Sequence, residues 1–165
     1  MKSYMSQPIQ PIRRAEKGDA QVLYKLLYDF AVYEQIEDQV TVTSEELDAD
    51  FFCENPHVEA FFAMVDGKEV GVATVYYNYA TFQGRKGCYL EDIFVSPEYR
   101  KRGLGKALMK AVARRALEKG CIRMEWIALD WNENALNFYK TLGAFVRSEW
   151  RLLRLEQPHL GKLAE

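Results

Sequence analysis

The sequence predicts an α/β (α+β) fold: a single domain, 1–165, with a mixed central β-sheet flanked by helices. Three observations lead there. Strand-like runs joined by hairpin signals fill the first half, and a strand–helix–strand–helix order follows from residue 88. No Pro/Gly/Ser linker, internal repeat or low-complexity tract divides the 165 residues, a length suited to one domain. Apolar residues make up 48% of the chain, enough for a sizeable core and against global disorder.

The elements follow in order. A short strand is expected near Pro8–Arg14, leading to Gly18-Asp19 as a helix start. Val22, Leu26, Leu27, Phe30 and Tyr33 then recur at helical spacing. Thr43 and Glu46 have the spacing of a capping box for a second, short helix through Phe52. Glu59–Val65 reads as a strand, Asp66-Gly67 as a hairpin turn, and Glu69–Tyr79 as the returning strand. Residues 81–87 read as a loop and Cys88–Val95 as a further strand. Arg100-Lys101-Arg102-Gly103-Leu104-Gly105 opens an amphipathic helix with Leu104, Ala107, Leu108 and Ala111 on its apolar face, ended by Gly120. Ile122–Leu129 has the look of a buried strand, Glu133–Leu142 of a helix stopped by Gly143, and Ala144–Leu155 of one or two final strands.

Composition excludes several classes. Met1–Arg14 has no apolar h-region, so no secretory signal is expected. The longest apolar run, Ala60–Val65, is far short of the roughly 20 residues needed to span a bilayer, so no membrane partner is expected. Cys53, Cys88 and Cys121 are odd in number and form no CxxC pair, which fits free, buried thiols in a reducing compartment. His57 and His159 stand alone, so neither a metal centre nor a His-based triad is expected. A cytoplasmic location is the expectation.

The formal net charge of −2 argues against an overall basic nucleic-acid binder, but it hides an asymmetry. Residues 34–59 hold nine Asp/Glu and no Lys/Arg, whereas residues 85–123 hold eleven Lys/Arg and four Asp/Glu. The two stretches can be solvated surface, or can handle a cation at one place and an anion at another.

The loop entering the helix at Arg100–Gly105 is the most informative feature. A helix start leaves its first N–H groups free, and the dipole favours an anion there. Two glycines one residue apart let backbone approach a phosphate closely, and Arg100, Lys101, Arg102 and Lys106 add a cationic field. The loop lacks the G-K-[S/T] of a Walker A loop and the third glycine of a dinucleotide fingerprint. Taken alone, RxxGxG is equally an ordinary turn on a basic helix.

Upstream lies Leu90-Glu91-Asp92-Ile93-Phe94-Val95, with adjacent carboxylates; downstream lies Asp130-Trp131-Asn132-Glu133-Asn134, followed by Phe138-Tyr139 and Gly143-Ala144. This order of strand, RxxGxG helix, strand and N-x-x-A-x-x-F-Y-x-x-x-G-A resembles the GNAT acetyltransferase superfamily. Within it, the chain resembles the diamine (spermidine/spermine) and thialysine N-acetyltransferases over about residues 12–155.

The resemblance implies acetyl-CoA as co-substrate and no metal. It gives coenzyme A binding to Arg100, Lys101, Arg102, Gly103, Leu104, Gly105 and Lys106, mostly through main-chain N–H groups. Ile93, Phe94 and Val95 would pair with the pantetheine amides, and Asn132, Glu133 and Asn134 would lie along the pantetheine arm. It also makes Tyr139 the general acid at the sulfur and Glu91 the base, acting through water; residue physics alone reads Phe138-Tyr139 as core aromatics. Glu91 lies mid-strand between apolar neighbours, where partial burial would raise its pKa, or a salt bridge would hold it. Period-two alternation would place Glu91 and Asp92 on opposite faces.

On the amine side the resemblance points to Tyr33, Glu34, Glu91, Asp92 and Glu149. An aromatic face beside carboxylates suits an alkylammonium. In the loop of residues 79–87, Ala80 and Phe82 stand where polyamine-specific enzymes carry an acidic residue and a tryptophan. The expected activity is therefore acetyl transfer to a small cationic amine, a diamine/polyamine or a thialysine- or lysine-like amino acid. Acetylation of a peptide or protein amine, and a catalytically silent acyl-CoA-binding module, are the competing readings. Related enzymes dimerise, so a homodimer is expected, with Leu152–Glu165 contributing.

Overall fold

In the computed structural model, which describes residues 12–165, the strand-like runs pair into one five-stranded sheet. Its strands are β1 (Ile12–Arg14), β2 (Val58–Val65), β3 (Lys68–Ala80), β4 (Arg85–Val95) and β5 (Cys121–Glu125), adjacent in chain order. The first four are antiparallel neighbours and β5 joins β4 in parallel, which makes the sheet mixed as expected. Residues 8–11 of the first expected strand lie outside the described residues. Asp66 and Gly67 both have positive φ, 50° and 77°, as a tight two-residue hairpin requires.

The described residues form two compact units, one ending at Ile127 and the other Ala128–Glu165. In the first, α1 (Ala20–Glu34) and α2 (Ser44–Phe51) cover one sheet face. Leu23, Leu26 and Leu47 from these helices pack with Phe62, Val72 and Phe94 of the sheet. Fully burying side chains of this size stabilises by about 1.5–3 kcal/mol each. The capping box of α2 forms as read: Thr43 Oγ1 accepts from Glu46 N–H, and the Glu46 carboxylate accepts from Thr43 N–H.

Asp19 precedes α1 but does not cap it with its side chain. Its carboxylate is taken by Arg13 at 2.6 and 2.9 Å, while the same guanidinium reaches Glu69 at 2.7 Å. The Arg13 hydrogen bonds outweigh partial burial and hold the Asp19 pKa below the usual carboxylate range.

Helix α3 (Leu104–Glu118) covers the opposite face, burying Leu104, Ala107, Leu108, Met109, Val112 and Ala116. Glu59 of β2 points to this side and is buried against it. Arg115 donates to its two oxygens at 2.8 and 3.1 Å, with Arg14 at 3.3 Å and Lys119 at 3.8 Å. The acidic and basic stretches of the sequence therefore meet at this carboxylate.

Three expectations are corrected. The loop of 81–87 is shorter, because β4 already begins at Arg85. The strand expected over Ile122–Leu129 is Cys121–Glu125, and within it Cys121 alone is buried. Among the described residues it pairs through one edge only, and Arg123 and Glu125 alternate along it as a 2.9 Å ion pair, so the apolar run overstated its burial. Ala144–Leu155 forms no strand. Its Phe145, Val146, Trp150, Leu152 and Leu153 are exposed, and strand-favouring residues make no ladder without a paired neighbour.

The second unit contains α4 (Glu133–Thr141), followed by Gly143 at φ 91°, and α5 (His159–Leu163). Among the described residues, no helix is long and apolar enough to cross a membrane. Cys88 and Cys121 are buried as expected, but Cys53 is exposed, since it lies in the bend beyond α2.

Candidate active site

Strand β4 carries the site's backbone. Its parallel ladder with β5 runs through Lys86, Cys88 and Tyr89 and stops there. On its other edge β4 pairs with β3 as far as Val95. From Leu90 onward the β5-side edge has no strand partner among the described residues. Its N–H and C=O groups can pair with an extended, amide-bearing ligand, as in strand addition.

The opening coincides with a bulge. Thr74 pairs with Asp92 and Val75 with Leu90, so Glu91 is the extra residue between these two pairs. Cross-strand partners share a face, and Thr74 and Val75 point to opposite faces. Leu90 therefore faces α3, while Asp92 and Phe94 face α1. The alternation expected to separate Glu91 from Asp92 is broken at Glu91 itself.

Glu91 is exposed, which corrects the expectation of partial burial. The bulge turns it out of the ladder. Its charge nevertheless acts on Tyr76, whose hydroxyl pKa is raised by burial, then by Glu91 and Glu125. Asp92 is the more buried carboxyl. Burial raises its pKa against the opposing hydrogen bond from Thr74, whose Oγ1 donates to Oδ2 at 2.5 Å.

Of the three strand residues expected on the coenzyme, Phe94 is buried by its side chain and offers only backbone. Its ring stacks on Phe30 at 5.4 Å and meets Tyr33 at 6.1 Å. Ile93 and Val95 are half-buried on the α3 face.

The chain then turns through Pro97–Tyr99 into the glycine loop. Arg100 does not project as a free cation: its Nε donates to Val95 O at 2.9 Å, and its guanidinium lies over the Tyr33 ring at 4.1 Å. Lys101 and Gly103 take positive φ, 61° and 79°. The Gly103 conformation is strained for any side chain, and a Cβ there would meet no atom within 4 Å, so the surface before α3 is open. The first hydrogen bond into α3 runs from Ala107 N–H to Gly103 O, leaving the preceding N–H groups of Leu104, Gly105 and Lys106 at the helix start. Lys101, Arg102 and Lys106 are exposed around it, with Arg102 also over the Tyr99 ring at 5.3 Å. This donor set fits an anionic phosphate bound mainly by backbone. The Arg100 side chain instead braces the loop against β4 and α1.

Tyr33 and Glu34 end α1, and exposed Glu37 and Asp38 follow. Arg100 lies over one face of the Tyr33 ring, which is otherwise half exposed beside these carboxylates.

In the second unit, Asn132 caps α4, its Oδ1 accepting from Ala135 N–H at 3.1 Å. The resemblance gives Asn132 to the coenzyme; this cap is a second role, and Asn directly before a helical pattern is its sequence signal. Glu133 and Asn134 are exposed in the first turn. Tyr139 is half-buried, its ring 5.3 Å from that of Phe138, and burial raises its hydroxyl pKa. Glu149 is exposed and paired to Arg147 Nε at 2.5 Å; its own backbone N–H and this guanidinium hold its pKa low. It is thus a neutralised surface carboxylate. Thr74 was missed altogether, because a threonine within an apolar strand carries no sequence signal of its partner.

Comparison with known proteins adds three findings. The acetyltransferase (GNAT) family matches residues 22–144. Thialysine N-epsilon-acetyltransferase of Bos taurus is 39% identical over 164 residues, covering 93% of this chain and 96% of that protein. L-ornithine N5-acetyltransferase of Arabidopsis thaliana is 45% identical over 104 residues, 62% of this chain and 46% of that protein. Among solved structures, an integron cassette protein from the mobile metagenome of V. cholerae superposes with a TM-score of 0.79 at 29% identity, covering 94% of this chain and 97% of that one.

Proposed function

Since the chain belongs to the GNAT acetyltransferase family and is an acetyl-CoA-dependent N-acetyltransferase, we propose that it acetylates the side-chain amine of a small cationic amino acid of the thialysine, lysine or ornithine type. The observation that carries this reading is the β4 edge, open from Leu90, bulged at Glu91 and running into the Arg100–Gly103 loop. The amino-acid class is preferred over a polyamine because Ala80 is buried and carries no carboxylate, and Phe82 is fully exposed at the loop tip. The resemblance puts a polyamine-binding acid and a tryptophan at these two positions.

The chemistry follows from proton positions. An alkylammonium has a pKa near 10.4 and must lose a proton before it attacks. Glu91, exposed at the bulge, accepts that proton through water, while Asp92 and Glu34 attract the cation. The amine nitrogen bonds to the acetyl carbon, and the carbon–sulfur bond breaks. Backbone N–H groups of β4 near Val95 polarise the acetyl carbonyl. Tyr139, a phenol protonated at neutral pH and with its pKa raised further by burial, supplies the proton for the departing thiolate. An acyl-enzyme route is disfavoured on the β4 side, where burial pushes the Cys88 thiol up to about 12, with Cys121 and Glu59 adding to the shift.

The test is thiol release from acetyl-CoA with thialysine, lysine, ornithine, spermidine and a lysine-bearing peptide. Turnover of the amino acids with kcat/KM above that of spermidine is expected. Glu34→Gln should raise the amine KM about fivefold, the scale of a partly exposed charge pair. Activity on the peptide alone would point to a protein acetyltransferase, and no release with any amine to a silent binding module.

The same reading takes the enzyme as a cytoplasmic homodimer, supported by exposed Leu153, Leu160 and Leu163 near the C-terminus. Sedimentation should give about twice the 19.2 kDa chain mass; a monomer at micromolar concentration would remove the dimer.

A further inference from the structure

Among the described residues, two polar side chains are buried, Glu59 and Thr74. Glu59 is accounted for by its three cations. Thr74 is a neutral hydroxyl with no such ion pair. It sits in β3 between Ala73 and Val75, all three at most 3% exposed. Valine has the same shape, favours strands and has no hydroxyl to desolvate. A hydroxyl at such a position is explained by its partner, and that partner is Asp92 Oδ2 at 2.5 Å.

The register sharpens the point. Thr74 lies opposite Asp92 at the first pair beyond the extra residue Glu91, where the outer edge of β4 is open. No Lys, Arg or His pairs with Asp92 among the described residues. A carboxylate can accept about four hydrogen bonds, and Thr74 fills one site. Burial raises the Asp92 pKa, and Thr74 is the one group that opposes it. The carboxyl thus has acceptor sites open to a cation that the described residues do not provide. Asp92 also shares its face with Phe94, on which Tyr33 at the end of α1 packs.

We infer that Thr74 is a positioning residue for the acceptor: its hydroxyl holds one Asp92 oxygen so that the remaining acceptor sites meet the cationic amine. This rests on the acceptor reading given above. The competing role for the same hydrogen bond is to pin the bulge, with no bearing on the substrate.

Steady-state kinetics of Thr74→Val, with Thr74→Ser as the conservative variant, separates the two. The valine variant should raise the amine KM about tenfold, the scale of a hydrogen bond to a charged group. Its kcat and acetyl-CoA KM should stay within about twofold, the pattern of lost uniform binding. Thr74→Ser should return the amine KM to within about twofold of wild type. Thr74→Ala, hydroxyl-free but smaller, should reproduce the rise; if it does not, the valine effect was one of shape and the inference fails. An unmoved amine KM in the valine variant, or equal rises in both KM values with a lowered melting temperature, also overturns it. A wild-type enzyme inactive with every amine removes the acceptor reading itself, and Thr74's role with it. An active wild type with an unmoved valine variant removes Thr74's role alone.

Discussion

Replacing Tyr139 with Phe is expected to lower kcat by about 10²- to 10³-fold, within the range for loss of a general acid. The acetyl-CoA KM should change less than about threefold. The reason lies in what Phe retains. The ring contact with Phe138, at 5.3 Å, needs no hydroxyl, so α4 keeps its local packing. What is lost is the hydroxyl proposed as proton donor, a phenol that stays protonated across the neutral range and whose pKa burial raises further. An interaction used only in the transition state lowers kcat and kcat/KM alike, and that joint fall is the diagnostic pattern. Steady-state rates at saturating amine, alongside a binding measurement for coenzyme A, read it directly. Unchanged turnover would take Tyr139 out of the acid role and return it to core packing.

Glu59→Gln should produce the largest stability effect, a loss of about 3 kcal/mol. Removing one partner of a buried ion pair leaves the others uncompensated, at about 3–5 kcal/mol. The lower end applies because Arg14 and Lys119 are partly exposed, at 49% and 38%, and can turn toward water. The effect is also pH-dependent. Burial pushes the Glu59 pKa up, but the Arg115 hydrogen bonds and the Arg14, Arg115 and Lys119 charges outweigh it and hold it below the ordinary value. A depressed folded pKa means the stabilisation is fully present above the unfolded value, about 4.3, and is lost as pH falls through the folded one. The wild type should therefore lose stability below about pH 4 more steeply than Glu59→Gln. Urea midpoints at pH 7 and pH 3 test this; a constant gap between the two proteins would show that Glu59 is not the titrating group.

Much of the architecture was legible because local chemistry determined it. Thr43 with Glu46, Asp66-Gly67, and the apolar spacing from Val22 to Phe30 each specify an element without help from distant residues. The glycine loop was legible for the same reason, since Gly103 and the helix start lie within four residues. Failures came where the deciding partner is remote. Ile122–Leu129 and Ala144–Leu155 carry strand-like residues, but a strand exists only when another strand accepts its ladder. The site divides along the same line. The motif residues could be named from the sequence, but not that Arg100 spends its side chain on Val95 and Tyr33, or that Thr74 holds Asp92. Glu59, counted in the acidic stretch, was invisible as a core residue because its three cations lie 45 to 60 positions away.

The extra residue in β4 makes one strand behave as two half-strands of opposite phase, joined without a break. Leu90 and Asp92 are two positions apart, the spacing that normally repeats a face, yet they serve different layers of the molecule. This sets a rule for length changes in the strand. Deleting Glu91 would leave the pairs Thr74–Asp92 and Val75–Leu90 both intact and heal the ladder into ordinary sheet. Deleting a paired residue on either side would instead throw a half-strand's side chains onto the wrong face. A single-codon deletion thus separates this bulged edge from plain sheet, and the fold can lose the bulge without losing its core.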